Sequence, residues 1–255
     1  MERGEKFEGF GSQTRRFLAG IAGNNEKAWF DAHRDDYERH YVAPALAFIR
    51  QIAPRLKQIA PQLSAEPKIN GSLLRINHDV RFSKDRQPYK DRLDLWFWEG
   101  AKRGWDRPGL FMRLTATSLI LGAGMRRFEG PQLDAYRVSV VGPEGETLVT
   151  LLDRLTVAGY ETSGATRKRV PPGFDPDHSR AHLLLHGALS VVLAEPVPDA
   201  CATREFVDYC ARHFAALAPL NDWLRGAMLT SPIDQPPVAP NRGRRSRTAA
   251  APAAG

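Results

Sequence analysis

The stretch from residue 75 to 92 holds the side chains of this sequence whose types and spacing are best suited to chemistry. It reads RINHDVRFSKDRQPYKDR and carries six cationic side chains beside three aspartates. Arginine presents a planar fork of donors that fits a carboxylate or a phosphate, and lysine adds a point charge. A solvated face can carry the same mixture of charges. The stretch therefore predicts either an anion-binding pocket or a structural network of ion pairs.

Strand geometry predicts how these side chains meet. Side chains alternate along a strand, so a strand over residues 73–82 would place arginines and an aspartate on one face and apolar residues on the other. Pro88 then stiffens the following loop and favours an extended backbone at Gln87. In this interpretation the aspartates orient the cations and Tyr89 lines the wall. The predicted ligand-binding residues are Arg75, Asp79, Arg81, Lys84, Asp85, Tyr89, Lys90, Arg113 and Arg137.

Other chemistries have weaker patterns. His178, His182 and His186 would share one helical face and could bind a metal, but the glutamate of an H-E-x-x-H site is missing and no cysteine is near. The sequence LGAGM lacks the third glycine of a dinucleotide fingerprint and is more typical of a hairpin or a bulge. No G-x-S-x-G nucleophile motif occurs. We therefore predict no metal and no cofactor, and the sequence does not decide whether a reaction takes place.

The elements that must position these residues follow an α+β order. Helical periodicity fills residues 12–33 and continues to about residue 60, with Asn24 or Asn25 as a cap and kinks or breaks at Pro44 and Pro54. Short β-rich segments follow from about 72 to 124, and another strand is expected near 188–195. Helices are predicted at 131–142, 145–158, 179–187 and 199–228, the last one interrupted near Pro219. A mostly antiparallel central sheet flanked by N- and C-terminal helices is the expected architecture.

Composition sets the class of protein. The 255 residues are 42% hydrophobic and carry a net charge of +7, of which four arginines and one aspartate lie after residue 231. That Pro/Ala/Arg-rich segment, 232–255, is predicted to be a disordered basic tail, and residues 1–231 a single domain. No stretch is apolar enough for a membrane span, and the charged start is not a secretory signal, so a cytoplasmic location is expected.

The two cysteines are predicted to be buried thiols. If Cys201 and Cys210 share one helix, nine residues put them on opposite faces and about 13.5 Å apart along the axis. That rise exceeds the reach of a disulfide.

Several blocks of the sequence together resemble one family. They are FEGFGSQTRRFLAGIAGNNEKAWFDAHRDDYE, RINHDVRFSKDRQPYKD, GLFMRL, LGAGMRRFEGPQLDAYR and RKRVPPGFDPDH. In this order they are similar to the DUF2461 family of conserved uncharacterised proteins over about residues 7–228, with RFSKD-x-x-PYK the most specific block. The family usually has Arg, Lys and Pro where His78, Arg86 and Ser179 stand here. The resemblance implies a single family domain and no mechanism.

Two functions from different classes remain open. The first is an anion-binding protein, with or without a reaction, for a phosphorylated or carboxylated small molecule. The second is a non-catalytic module that binds nucleic acid or protein. The interleaving of acids with bases, and a body charge of only +4, favour the first.

Overall fold

A computed structural model of the chain describes residues 6–78, 87–100, 103–104 and 106–229. Its centre is a six-stranded antiparallel sheet with the order β1-β2-β3-β4-β6-β5. The strands are β1 Leu63–Ser64, β2 Leu93–Glu99, β3 Gly109–Leu114, β4 Ser118–Met125, β5 Glu161–Ala165 and β6 His186–Pro196. The predicted α+β class and antiparallel sheet are confirmed.

Helices precede and follow the strands along the chain, and two more separate β4 from β5. They are α1 Ser12–Gly23, α2 Lys27–Ala32, α3 Arg34–Tyr37, α4 Ala43–Ile59, α5 Gly130–Val141, α6 Glu144–Val157 and α7 Phe206–Leu229. A π-helical turn, Glu38–Val42, joins α3 to α4. Two 3-10 turns, Ala181–Leu185 and Asp199–Ala202, flank β6. No helix within the described ranges has the length and apolar character needed to cross a membrane.

Two prolines do not interrupt their helices as the sequence suggested. Pro54 lies inside α4 and Pro219 inside α7, and both helices run on past them. Both prolines are exposed. Neighbouring residues on the opposite sides, such as Ile52 and Leu220, are fully buried. Packing of that apolar side holds each helix together despite the hydrogen bond lost at proline.

One face of the sheet is the floor of the hydrophobic core. Three alternate residues of β2, Leu93, Leu95 and Phe97, point to this face and are at most 1% exposed. α7 packs across β3 and β4 and also contacts α4. The rings of Phe97 and Phe214 meet at 6.0 Å between centroids. We call this the helix face.

The segment before β2 is less regular than the predicted strand over 73–82. Leu73 forms a single antiparallel bridge to Leu95 at the free edge of β2, and Asn77 forms another to Tyr89. Arg75 and Asn77 are exposed as predicted, but the regular alternation fails: Leu74 packs with Trp96 and Trp98, whereas Ile76 lies in the main core on the other side of the sheet. Residues 79–86, which include four of the nine predicted site residues, lie outside the described residues, as does the predicted tail, 232–255.

β1 and β5 carry little sequence signal. β1 has two residues, and β5, ETSGA, has no buried apolar residue to mark a strand.

The cysteines are buried free thiols, as predicted, but for a different reason. Cys201 lies in the 3-10 turn before α7, so the two do not share one helix. Burial raises the pKa of Cys201 to about 12, and that of Cys210 well above its ordinary value.

Candidate functional site

The second face of the sheet, which we call the cleft face, is arranged in three rows. Antiparallel register aligns side chains across neighbouring strands, so each row can be read directly from the pairing. The rows are Asp94–Arg113–Ile120–Ala194, then Trp96–Phe111–Gly122–Val192, then Trp98–Gly109–Gly124–Ser190–Ser163. The first row therefore holds the paired Asp94 and Arg113. The second row holds the aromatic surface and ends at the exposed Glu161 on β5, and the third is made of small residues beyond Trp98.

Glycines create a depression between these rows. A Cβ on Gly122 would lie 2.4 Å from the Phe111 ring, and one on Gly109 would lie 2.6 Å from the Trp96 ring, so both rings lie against bare backbone. Gly124 has φ +135° and approaches the carbonyl of Leu189 too closely for any side chain. The resulting cleft has a volume of about 340 Å³. The sequence LGAGM is thus a straight strand with a glycine face, and the predicted hairpin or bulge is wrong.

Asp94 organises the charged end of the cleft. Its carboxylate accepts a hydrogen bond from Nε of Arg113 at 2.7 Å and one from Nε of Arg92 at 3.3 Å. The Asp94 side chain is only 10% exposed, whereas that of Arg113 is 40% exposed. Within the described part of the chain, neither terminal nitrogen of Arg113 has an acceptor. Arg113 therefore presents a fixed guanidinium with two unused donor groups to the cleft.

Lys90 and Arg75 lie beside this pair. The Lys90 ammonium donates to the backbone oxygen of Arg75 at 2.8 Å. Burial lowers the pKa of Lys90; Asp94 opposes that shift, whereas Arg92, Arg75 and Arg113 lower the pKa further. The Arg75 side chain has no hydrogen bond or ion pair to any described residue. We call Arg75, Lys90, Arg92 and Arg113 the basic cluster.

The N-terminal helices hold the strand-like segment that carries Lys90 and Arg92. Asn25 donates to the backbone oxygen of Tyr89 at 2.8 Å and accepts from its backbone nitrogen at 3.0 Å. Tyr41 donates its hydroxyl to the backbone oxygen of Arg92 at 3.2 Å. Asn25 is therefore not the cap predicted for α2, which begins after Glu26 without a side-chain cap. The asparagine acts as a clamp instead.

The structure brings together three of the predicted site residues, Arg75, Lys90 and Arg113. Tyr89 does not line the cleft: its ring is 6% exposed and stacks on Phe30 at 4.3 Å. Four predicted site residues, Asp79, Arg81, Lys84 and Asp85, lie outside the described residues. Their place relative to the basic cluster remains a prediction.

Arg137 lies in a different part of the molecule. It is on α5, where it is paired at 3.9 Å with Asp134, and Arg167 is its other charged neighbour. Arg167 is bonded through its backbone to Leu185, at the start of β6. Arg113 instead aligns through Ile120 with Ala194, nine residues beyond Leu185, a distance of about 30 Å at 3.3 Å per residue. Arg137 is therefore not part of the basic cluster.

The three histidines do not form the predicted helical face. His178 precedes the 3-10 turn that contains His182, and His186 begins β6. Within the described ranges, no group of three or more His, Cys, Asp or Glu side chains is placed to hold a metal ion.

Sequence reasoning missed the residues that shape the cleft. Phe111, Gly122 and Ser190 come from three different strands, so only the register brings them together. Arg126 lies at the other end of the lining, beyond the glycines. The one available signal was the alternate spacing of glycines in LGAGM, which is typical of a strand with close approach on one face.

The part of the chain that contains this cleft matches one protein family. The family model described as conserved hypothetical protein (DUF2461) matches residues 13–223. The chain belongs to the DUF2461 family. The match includes Asn25, the basic cluster, all six strands and most of α7. A search of the curated proteins found no match to this chain.

Proposed function

We propose that the cleft binds a small phosphorylated or carboxylated molecule, with its anionic group on the basic cluster and its apolar body on the aromatic floor. The observation that carries this proposal is the state of Arg113. Its Nε is fixed by a buried carboxylate, while its two terminal nitrogens have no acceptor among the described residues. An arginine held in this way binds an oxyanion with little loss of side-chain entropy.

The charge balance supports an anionic ligand. The basic cluster brings four cations together, and among the described residues the carboxylates paired with them are those of Asp91 and Asp94, which leaves an excess of positive charge there. Lys90 is partly desolvated, which makes its ammonium more sensitive to a nearby anion than a fully hydrated one. A bound anion would relieve the repulsion among these cations.

The shape of the cleft supports a small ligand with an apolar part. A volume of about 340 Å³ lies within the range of small-molecule sites. The floor includes Phe111, Ile120 and Val192, all partly exposed. From the first row to the third is a distance of about 13 Å at 3.3 Å per residue. A ring bearing one phosphate or carboxylate fits these dimensions.

The proposal is for binding and does not include a reaction. Ser163 and Ser190 are the hydroxyl groups in the described lining, and no histidine accompanies them there. Asp94 is the carboxylate of the lining, and two arginines already occupy it. A nucleophile with its base is therefore not assembled among these residues.

A second candidate, a nucleic-acid module, is favoured by one observation. Arg103 lies within electrostatic range of Arg75, which extends the basic cluster toward the loop after β2. Salt dependence distinguishes the two candidates. A single strand neutralised at four phosphates gives a log–log slope of about −2.8, whereas a small ligand gives a shallow dependence.

The test is a titration of wild-type protein and two charge-matched variants with phenyl phosphate, benzoate and a single-stranded oligonucleotide. Arg113→Gln should weaken phenyl phosphate about tenfold to a hundredfold, because a charge-assisted hydrogen bond is lost. Arg127→Gln is the control, since Arg127 is exposed, pairs with Glu129 and is not part of the cleft lining. Equal affinities in all three proteins would refute the proposal, as would steep salt dependence with the oligonucleotide alone.

A further inference from the structure

Arg137 combines burial with unused hydrogen-bonding capacity. Its side chain is 8% exposed, and its Nε and Nη2 are buried without a hydrogen-bond partner in the described part of the chain. The nearest carboxylate oxygen, on Asp134, lies 3.9 Å from Nη1 and belongs to a side chain that is 72% exposed. An exposed carboxylate at this distance compensates little of the free energy lost when a guanidinium leaves water.

A second arginine, Arg167, further raises the free energy of the buried Arg137 charge. Arg167 is close enough to lower the pKa of Arg137, an effect second only to burial. Backbone bonds fix this neighbour, because the amides of Thr166 and Arg167 both donate to the carbonyl of Leu185. On the other side of the same 3-10 turn, the Tyr136 hydroxyl donates to the carbonyl of Leu183 at 3.1 Å. The residue next to Arg137 and the backbone of Arg167 are therefore both bonded to the 181–185 turn.

We infer that Arg137 and Arg167 form a second oxyanion site, separate from the cleft, at the junction of α5 with the 181–185 turn. A phosphate, sulfate or carboxylate group there accepts from the Nε and Nη2 of Arg137 once the guanidinium turns outward from its buried position, and takes its second charge contact from Arg167, which is exposed. Nε and one terminal nitrogen of a guanidinium form a parallel pair of donors, which is the geometry of bidentate binding to an oxyanion. The anion supplies the acceptors and the negative charge that the described residues lack.

The site is independent of the proposed function. Arg113 and Arg167 lie at opposite ends of β6, and the two sites draw on different residues. A protein that carries Arg113→Gln therefore isolates the second site, and failure of either proposal leaves the other one testable.

Three variants in that background test the inference with inorganic phosphate as the probe, at constant ionic strength set with chloride. Arg137→Met keeps the length of the side chain and removes the charge. Arg167→Ala removes the second cation, which is exposed. Arg169→Ala is the matched control, because it removes the same charge from the same exposed loop without being a neighbour of Arg137.

The expected result is saturable phosphate binding by calorimetry and a rise in Tm with phosphate, both lost in Arg137→Met. Arg167→Ala should weaken phosphate about tenfold, and Arg169→Ala less than twofold. Without phosphate, Arg137→Met should melt at or above the temperature of its parent, because an uncompensated buried charge has been removed. No saturable binding in the parent, or equal phosphate responses in the parent and Arg137→Met, would overturn the inference. A clear fall in the Tm of Arg137→Met without phosphate would do so as well, since it would show that the guanidinium is already satisfied within the fold.

Discussion

The two faces of the sheet are built from the same strands and differ in what their alternate residues do. On the helix face, Leu95, Phe97 and Met112 are at most 1% exposed and contact the helices. On the cleft face, the residues between them are Asp94, Trp96, Phe111 and Arg113, of which Phe111 and Arg113 remain partly exposed. The comparison indicates that one face supplies most of the stability, which leaves the other free to keep glycines, unpaired donors and an unfilled cleft.

A pair of phenylalanines should show this division most strongly. Phe97→Ala on the helix face should lower the free energy of unfolding by about 3–5 kcal/mol, because it opens a cavity in a closed core. Phe111→Ala on the cleft face should lower it by about 1–2 kcal/mol, because part of that ring already contacts solvent. Urea unfolding of both variants measures the difference. Equal losses would break the distinction between the faces.

The asparagine clamp ties the cleft face to the N-terminal helices, so it should matter to both stability and binding. Asn25→Ala removes two hydrogen bonds to the backbone of Tyr89 and should lower the free energy of unfolding by about 1–3 kcal/mol. Asn24→Ala is the control, since its one hydrogen bond, to the carbonyl of Gly20, is exposed. Chemical unfolding measures both. If the two variants lose the same free energy, the clamp does not hold the segment that carries Lys90.

The smallest of these effects concerns pH, away from the cleft. Burial lowers the pKa of His186 and of His213, although nearby backbone groups and Glu195 oppose the shift. The unfolded chain then takes up protons below pH 6.5 while the folded chain does not. Stability should therefore be complete above that pH and fall on acidification until the folded pKa values are reached.

The slope of this fall should not exceed about 1.4 kcal/mol per pH unit for each histidine. Tm measured between pH 7 and pH 5 gives the slope, and His213→Gln should flatten it. An unchanged profile in His213→Gln would assign the acid sensitivity to other groups.

The sequence predicted the class of fold and the density of charge better than the shape of the site. The alternation in RLDLWFW places Leu95 and Asp94 on opposite faces without any tertiary information, because side chains alternate along a single strand. The clamp was out of reach, since Asn25 lies 64 residues from Tyr89 and only tertiary structure brings them together. Gly122 and Ser190 were missed for a similar reason, because a depression depends on the register between strands.

The density of charge in the sequence also misled at two residues, Arg137 and Tyr89. Arg137 was predicted to be one of the ligand-binding residues, but a sequence pattern does not show at which end of the sheet its helix packs. Tyr89 was expected to line the wall of the binding pocket and instead stacks on Phe30. An aromatic residue between charged neighbours is often a core residue of the scaffold that carries them.

The central claim is that one cleft holds both the charge and the apolar body of its ligand. The most direct test is the ratio of two affinities, phenyl phosphate against inorganic phosphate. It is measured by calorimetry with the wild-type cleft and with Ser190→Leu, both in a protein that carries Arg137→Met, so that the second anion site does not contribute. With the wild-type cleft the ring should improve affinity by about tenfold or more, because burying it against Phe111 and Val192 contributes about 25 cal/mol per Å². Ser190→Leu fills the floor and should abolish that advantage while leaving phosphate itself unaffected. The same ratio in both proteins, or no preference for phenyl phosphate with the wild-type cleft, would contradict the account.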